Sequence, residues 1–162
     1  MAVERARLLA LSNDELERLE VIIRNHMRIL FHTNRLATEG KQPSPRAIYR
    51  FFRDTGPAGV DVILLALADM RATYENTLPQ ETWVACLDVC RCMLEAWWEK
   101  REERVTPSPL MDGNDLMREL ALQPGPLVGK LMEVIRVAQV MGEVTTRAQA
   151  LEVARKNLGE KS

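Results

Sequence analysis

Residues 108–142 read SPLMDGNDLMRELALQPGPLVGKLMEVIRVAQVMG, and this stretch decides the fold. It predicts a short helix, a tight turn and a longer helix. Asp112 or Asn114 can cap the first helix, whose apolar face is Leu116, Met117 and Leu120. Gln123-Pro124-Gly125-Pro126 is the turn. The two prolines fix φ near −65°, and Gly125 between them is free to take a positive φ. Pro126 suits a first helical position, where its missing N–H removes no hydrogen bond. Leu127, Val128, Leu131, Val134, Ile135 and Ala138 then recur at helical spacing until Gly142 stops the run. Gly129 has no side chain, so a backbone or a ligand can come close.

The unit resembles a helix-hairpin-helix, in which free N–H groups at the start of the second helix can hold a phosphate. The same residues also fit a helical corner that closes a core. Working outward, L-M-D-G-N-D-L-M, the P-G-P-x-V-G-x-L-M that follows, and G-E-V-T-T-R-A-Q-A-L resemble the C-terminal region of the bacterial tRNA nucleotidyltransferase / poly(A) polymerase family. Those are the CCA-adding and A-adding enzymes. Upstream, H-M-R from His26 to Arg28, P-R-A-I-Y-R-F-F-R-D-T-G from Pro45 to Gly56 and L-L-A-L-A-D from Leu64 to Asp69 resemble the end of an HD-type domain in the same family. The resemblance runs from about Leu11 to Lys156 and is most specific from Asp112 to Leu131. It implies a tRNA-binding body and tail. It also implies a catalytic head, using magnesium and a nucleoside triphosphate, that these residues do not supply. The head's Gly-Ser turn and paired strand aspartates are missing, and neither His26 nor His32 is followed by the Asp of an HD doublet.

Composition sets the bounds. The chain has 162 residues, 46% hydrophobic and 28% charged, with a net charge of −1. This is an ordinary globular composition with no global polyanion-binding signature. No run of 18 apolar residues occurs, so no membrane span is expected. The N-terminal dozen residues hold too short an apolar segment for a secretory leader, and a cytoplasmic location is expected. Cys86, Cys90 and Cys92 are expected as small apolar fillers rather than disulfide partners or metal ligands.

The remaining helices follow from caps and periodicity. Ser12 and Glu15 form a capping box, and Leu16, Leu19, Ile23, Met27 and Leu30 predict an apolar stripe on one helix to about His32. Thr33 to Gln42 is expected as a loop. Ser44-Pro45 opens a helix with Ile48, Phe51 and Phe52 inward and Arg46, Arg50 and Arg53 on another face. Val60 to Met70 predicts a buried central helix, with Asp69 accepting hydrogen bonds from a neighbour, for which an arginine is the natural candidate. Thr77 and Gln80 suggest a capping box for a helix to about Arg104, with Trp83, Leu87, Cys90, Leu94 and Trp97 buried. A last helix starts at Thr146 with Gln149 as capping partner. The whole is all-α: a helical bundle over 1–105, and a helix-hairpin-helix-like tail over 106–162 after the Pro-containing Val105 to Pro109 segment.

One charge asymmetry stands out. From Arg24 to Arg53 there are seven Lys/Arg (24, 28, 35, 41, 46, 50, 53) against one acid, Glu39. A one-sided basic cluster is the footprint of phosphate-backbone binding, and it is equally the composition of a solvated face. The expected phosphate contacts are Arg46, Arg50 and Arg53, joined by Gly125, Gly129 and Lys130 at the hairpin. The expected ligand is tRNA or other structured RNA, read by shape and without exposed aromatic residues. No catalytic residue, metal ligand or cofactor is expected on this chain. Two further readings stay open. One is a helical scaffold that meets a missing catalytic domain or a second copy. The other is a degenerate HD phosphohydrolase using His26 and Asp69.

Overall fold

The computed structural model describes residues 4–6 and 10–159. Residues 1–3 and 7–9, part of the stretch read for a leader, lie outside these. The described residues are all-α and contain no strand. No helix among them is long and apolar enough to cross a membrane. The chain divides into two compact units, Met1–Glu99 and Lys100–Ser162. The Val105–Pro109 segment falls inside the second.

In the first unit, α1 (Asn13–Asn25) starts as expected. Ser12 N–H donates to Glu15 Oε2 at 2.8 Å, and Glu15 N–H donates to Ser12 Oγ at 3.3 Å. Two orphan donors of the first turn are thereby satisfied. The single helix to His32 is not observed. The chain breaks at His26, and α2 (Met27–Glu39) continues through most of the expected loop before Gly40 ends it.

The face that turns inward also differs. Asn25, Ile29 and Thr33 are buried, while Ile23 and Met27 of the expected stripe are exposed. Two polar residues tolerate burial because each side chain bonds its own helix. Asn25 Nδ2 donates to the Val21 carbonyl at 2.8 Å, and Thr33 Oγ1 donates to that of Ile29 at 3.0 Å. A buried polar group satisfied this way loses little on leaving water.

Helix α3 (Pro45–Thr55) is capped by Ser44, whose Oγ accepts from Ala47 N–H at 3.2 Å, with Pro45 in the first turn. It buries Ile48, Tyr49, Phe51 and Phe52. The Phe51 and Phe52 rings meet edge to face at 5.0 Å, and Phe52 lies 4.9 Å from Trp97. Each such aromatic contributes roughly 1.5–3 kcal/mol by burial alone. Helix α4 (Gly59–Tyr74) is buried on one face only, through Val62, Ile63, Ala66 and Met70. Leu64 and Leu65 are exposed, so it is not the buried central helix expected. Asp69 is exposed too and needs no buried partner.

Helix α5 (Gln80–Trp98) is preceded by Pro79 and has no side-chain cap. Thr77 Oγ1 instead donates to the Tyr74 carbonyl at 2.7 Å, which removes the expected capping box. The buried face of α5 is Ala85, Cys86, Val89, Cys90, Met93, Ala96 and Trp97, packed mainly against α2. Trp83 and Leu94 are half-buried and Leu87 is exposed, so the face is turned from the expected one. The helix ends at Trp98, short of Arg104, and Arg101–Val105 forms a separate π-helical turn. Cys86 and Cys90 are buried, Cys92 is half-buried, and none is in a disulfide.

The second unit holds α6 (Gly113–Leu120), α7 (Pro126–Val140) and α8 (Arg147–Gly159). Met111, Leu116, Leu131, Ile135, Ala138, Val144, Ala150 and Ala154 form its core. Asp112 caps α6, its Oδ1 accepting from Asp115 N–H at 2.7 Å. Gly142 stops α7 with φ +76°, and Glu143 N–H reaches back to the Ala138 carbonyl at 2.9 Å. This is the glycine stop expected. Thr146 and Gln149 form the expected cap of α8, with Gln149 Oε1 also accepting from Thr145 N–H. Arg147 ties α8 to α6, lying 3.2 Å from Asp115 and 3.3 Å from Glu119.

Candidate nucleic-acid interface

The helical period of α3 sends its aromatics inward and its arginines outward. Arg46, Arg50 and Arg53 are all exposed. Their surroundings separate them. Arg53 pairs with the adjacent Asp54 at 2.7 Å. Among the described residues, no carboxylate pairs with Arg46 or Arg50. The rest of the basic cluster is engaged. Arg24 pairs with Glu20, Arg28 with Asp54, and Arg35 and Lys41 share Glu39.

Arg46 and Arg50 line an open groove of about 700 Å³ between α2 and α3, together with Met27, Arg28, Phe31, His32 and Arg35. No acidic side chain lines it. Arg28 is held from three sides. Its Nη1 donates to Asn25 Oδ1 at 3.1 Å and to Asp54 Oδ2 at 3.0 Å, and its guanidinium lies 5.3 Å from the centre of the buried Phe51 ring. Cation–π contact of this kind stabilises a partly desolvated guanidinium. Burial lowers the His32 pKa below its ordinary 6.5, and the positive charges of Arg28 and Arg35 lower it further. The imidazole is therefore neutral at pH 7, with one ring nitrogen a donor and the other an acceptor.

Phe31 is 61% exposed and Met27 57%. The expectation that exposed aromatics are absent is thus corrected: Phe31 projects into solvent, as does Trp98 of α5. Phe31 was hidden because it stands one residue from Leu30 of the expected stripe. The signal lay in Thr33, whose inward placement beside Ile29 sets the face of α2 and turns residues 27 and 31 outward.

His26 is half-buried, with Nδ1 2.7 Å from the Ile23 carbonyl, the local bond expected of a histidine at a core edge. Among the described residues, no three His, Cys, Asp or Glu side chains gather to hold a metal ion.

In the second unit the corner is open. Gln123 to Leu127 are exposed, and nothing lies within 4 Å of where a Cβ would stand on Gly125 or Gly129. Lys130 is exposed beside them. Gly125 does not take a left-handed φ; at 169° it is extended backbone. The reversal happens earlier, at Ala121, with φ 51°. Ala121 N–H and Leu122 N–H both reach the Met117 carbonyl, and this closes α6 before the prolines begin. The sequence gives α7 no capping side chain, so its first N–H groups keep their donors free of one.

An all-α chain with a bare-arginine groove in one unit and an open helical corner in the other is the setting for the comparisons with known proteins. Residues 100–154 match the family model described as tRNA nucleotidyltransferase domain 2, putative. That match begins where the second unit begins. The chain is related to the bacterial tRNA nucleotidyltransferases, as the Asp112 to Leu131 motif implied. The CC-adding tRNA nucleotidyltransferase of Geobacter sulfurreducens is 36% identical over 108 residues, 67% of this chain and 22% of that protein. The CC-adding tRNA nucleotidyltransferase of Synechocystis is 26% identical over 147 residues, 89% of this chain and 32% of that protein. The A-adding tRNA nucleotidyltransferase of Deinococcus radiodurans is 30% identical over 93 residues, 56% of this chain and 20% of that protein. The chain thus spans between a fifth and a third of the length of these relatives. No solved structure matches it.

Proposed function

We propose that this chain binds tRNA and that nucleotide transfer, with its magnesium and nucleoside triphosphate, is the work of residues other than these. The observation that carries the reading is the pair Arg46 and Arg50, side by side in a groove without acids and without carboxylate partners among the described residues. Arginine forks match phosphate oxygens, and a groove that excludes carboxylates leaves them free to do so. The relatives are named for adding nucleotides to tRNA, which supports tRNA as the polyanion. Gly125, Gly129 and Lys130 supply a second, weaker contact through backbone N–H groups and one ammonium.

Filter or anisotropy titration of tRNA against salt tests this. Affinity falls as salt rises, with a log–log slope of about −0.7 to −0.9 per phosphate contact. Replacing both Arg46 and Arg50 by Glu weakens binding by about tenfold or more per arginine and shrinks the slope by about two contacts. Lys130→Glu has the smaller effect. Unchanged tRNA binding in the double variant sinks the reading.

A second reading has its own observation. Leu64 and Leu65 of α4 and Val84, Leu87 and Trp98 of α5 are exposed, Trp98 at 63%. Several large apolar side chains in water are the composition of a protein interface. A sedimentation coefficient that rises with protein concentration, indifferent to RNA, favours this scaffold reading over the first.

A further inference from the structure

We propose that Phe31 is a stacking platform for an unpaired RNA base, whose neighbouring phosphates are held by Arg46 and Arg50. The inference rests on the tRNA-binding reading and adds to it what part of the RNA this groove takes. Double-helical RNA offers a groove of this kind only phosphates and 2′-hydroxyls, because its bases are stacked away inside the helix. Arginines alone would suffice for that. The groove contains more. Phe31 is 61% exposed, and Met27, one turn earlier on the same helix, is 57% exposed.

A large ring left in water among four arginines is not explained by packing, since Phe31 stays 61% exposed while Ile29 on the same helix is wholly buried. An apolar face beside unpaired cations is the pairing that single-stranded nucleic acid requires: a flat base for the ring and phosphates for Arg46 and Arg50. The ring is also oriented. His32 lies beside it in a T-shaped contact, with centroids 5.5 Å apart and planes at 71°, rather than stacked flat upon it. The His32 ring nitrogens have no hydrogen-bond partner among the described residues. One neutral donor and one acceptor are thereby available to the edge of a base laid on Phe31. A carboxylate-bearing peptide would satisfy the arginines but would leave the flat face of Phe31 without a matching surface. RNA with an unstacked nucleotide satisfies both.

The test compares three short fluorescein-labelled RNAs of equal charge per residue: a single strand, the same strand made abasic at its central positions, and a duplex. Each is titrated by anisotropy against the full chain and its Phe31→Ala, Phe31→Leu and Phe31→Tyr variants. The single strand binds about five- to 150-fold more tightly than the abasic strand, the range expected for one stacked base. That preference disappears in Phe31→Ala and Phe31→Leu and returns in Phe31→Tyr. Because Phe31 is exposed, none of these variants disturbs the core, and thermal melts of all three match the unsubstituted chain. Equal binding of abasic and base-bearing strands, or a preference that survives Phe31→Ala, overturns the proposal. So does a Phe31-dependent gain for the duplex. The two readings fail separately. Loss of tRNA binding in the Arg46/Arg50 double variant with no base preference leaves the tRNA reading standing alone. A Phe31-dependent preference in a chain that does not bind tRNA leaves only the stacking platform.

Discussion

On the reading proposed above, the two units would meet a phosphate by opposite routes. The first relies on side chains. Helix α3 sorts aromatics inward and arginines outward, and two guanidinium groups are left without partners among the described residues. The second relies on backbone. Its α7 begins at an exposed Pro-Gly-Pro corner with no side-chain cap, and its nearest expected cation is Lys130. The difference teaches that basic charge and an open helix start are separable devices. Charge reversal at Arg46 and Arg50 should silence the first and leave the second nearly untouched. An unfolded corner does the reverse.

The largest expected effect tests whether the units are separable at all. Leu116 is wholly buried in the core of the second unit, whereas all three tryptophans, Trp83, Trp97 and Trp98, lie in the first. Leu116→Ala should cost about 3–5 kcal/mol. In urea, the loss should appear as an earlier transition by far-UV circular dichroism, with the tryptophan fluorescence transition in place. Equal shifts of both signals would mean that the units unfold as one, and the comparison would have to be abandoned. Next in size is the cap of α6. Asp112→Ala removes the acceptor of Asp115 N–H and should cost about 1 kcal/mol, seen as faster amide exchange at Asp115 while the groove residues keep their rates.

The smallest effect is confined to the first unit by composition, since both histidines, His26 and His32, lie there. Burial, then Arg28 and Arg35, hold the folded His32 pKa below 6.5. As pH falls, the unfolded imidazole takes up its proton first. The contribution to stability is therefore complete above about pH 6.5 and is lost progressively below it. Fluorescence-detected urea midpoints at pH 7.5, 6.5 and 5.5 should decline over the lower interval, and His32→Gln should flatten that decline. A midpoint that rises towards pH 5.5 would contradict the assigned direction.

Legibility in the sequence differed between the units for a physical reason. The second is punctuated by residues that act through their own backbone: Asp112 as a cap, Pro126 in a first turn, Gly142 as a stop. Each of these was readable. The exception was the reversal at Ala121, because an alanine at φ 51° carries no mark of a left-handed position. In the first unit the apolar pattern misled. Asn25 and Thr33 face inward because they bond carbonyls of their own helix, and hydropathy assigns such residues to solvent. The arginine face of α3 was legible because Ile48, Phe51 and Phe52 fixed the opposite side. Which arginines stay unpaired was not legible, since Asp54, Glu39 and Glu20 neutralise their neighbours only once the helices are placed. Phe31 was lost with the rotation of α2.

The three-sided hold on Arg28 has a consequence for how the groove meets a ligand. Arg28 reaches the bound state already immobilised by Asn25, Asp54 and the Phe51 ring, whereas Arg46 and Arg50 must each be frozen on contact, at about 0.5–1.5 kcal/mol apiece. One margin of the groove is therefore a rigid template and the other an adjustable pair of fingers. A strand bound as proposed would find tolerance for differing local curvature, and would be registered against the same fixed edge.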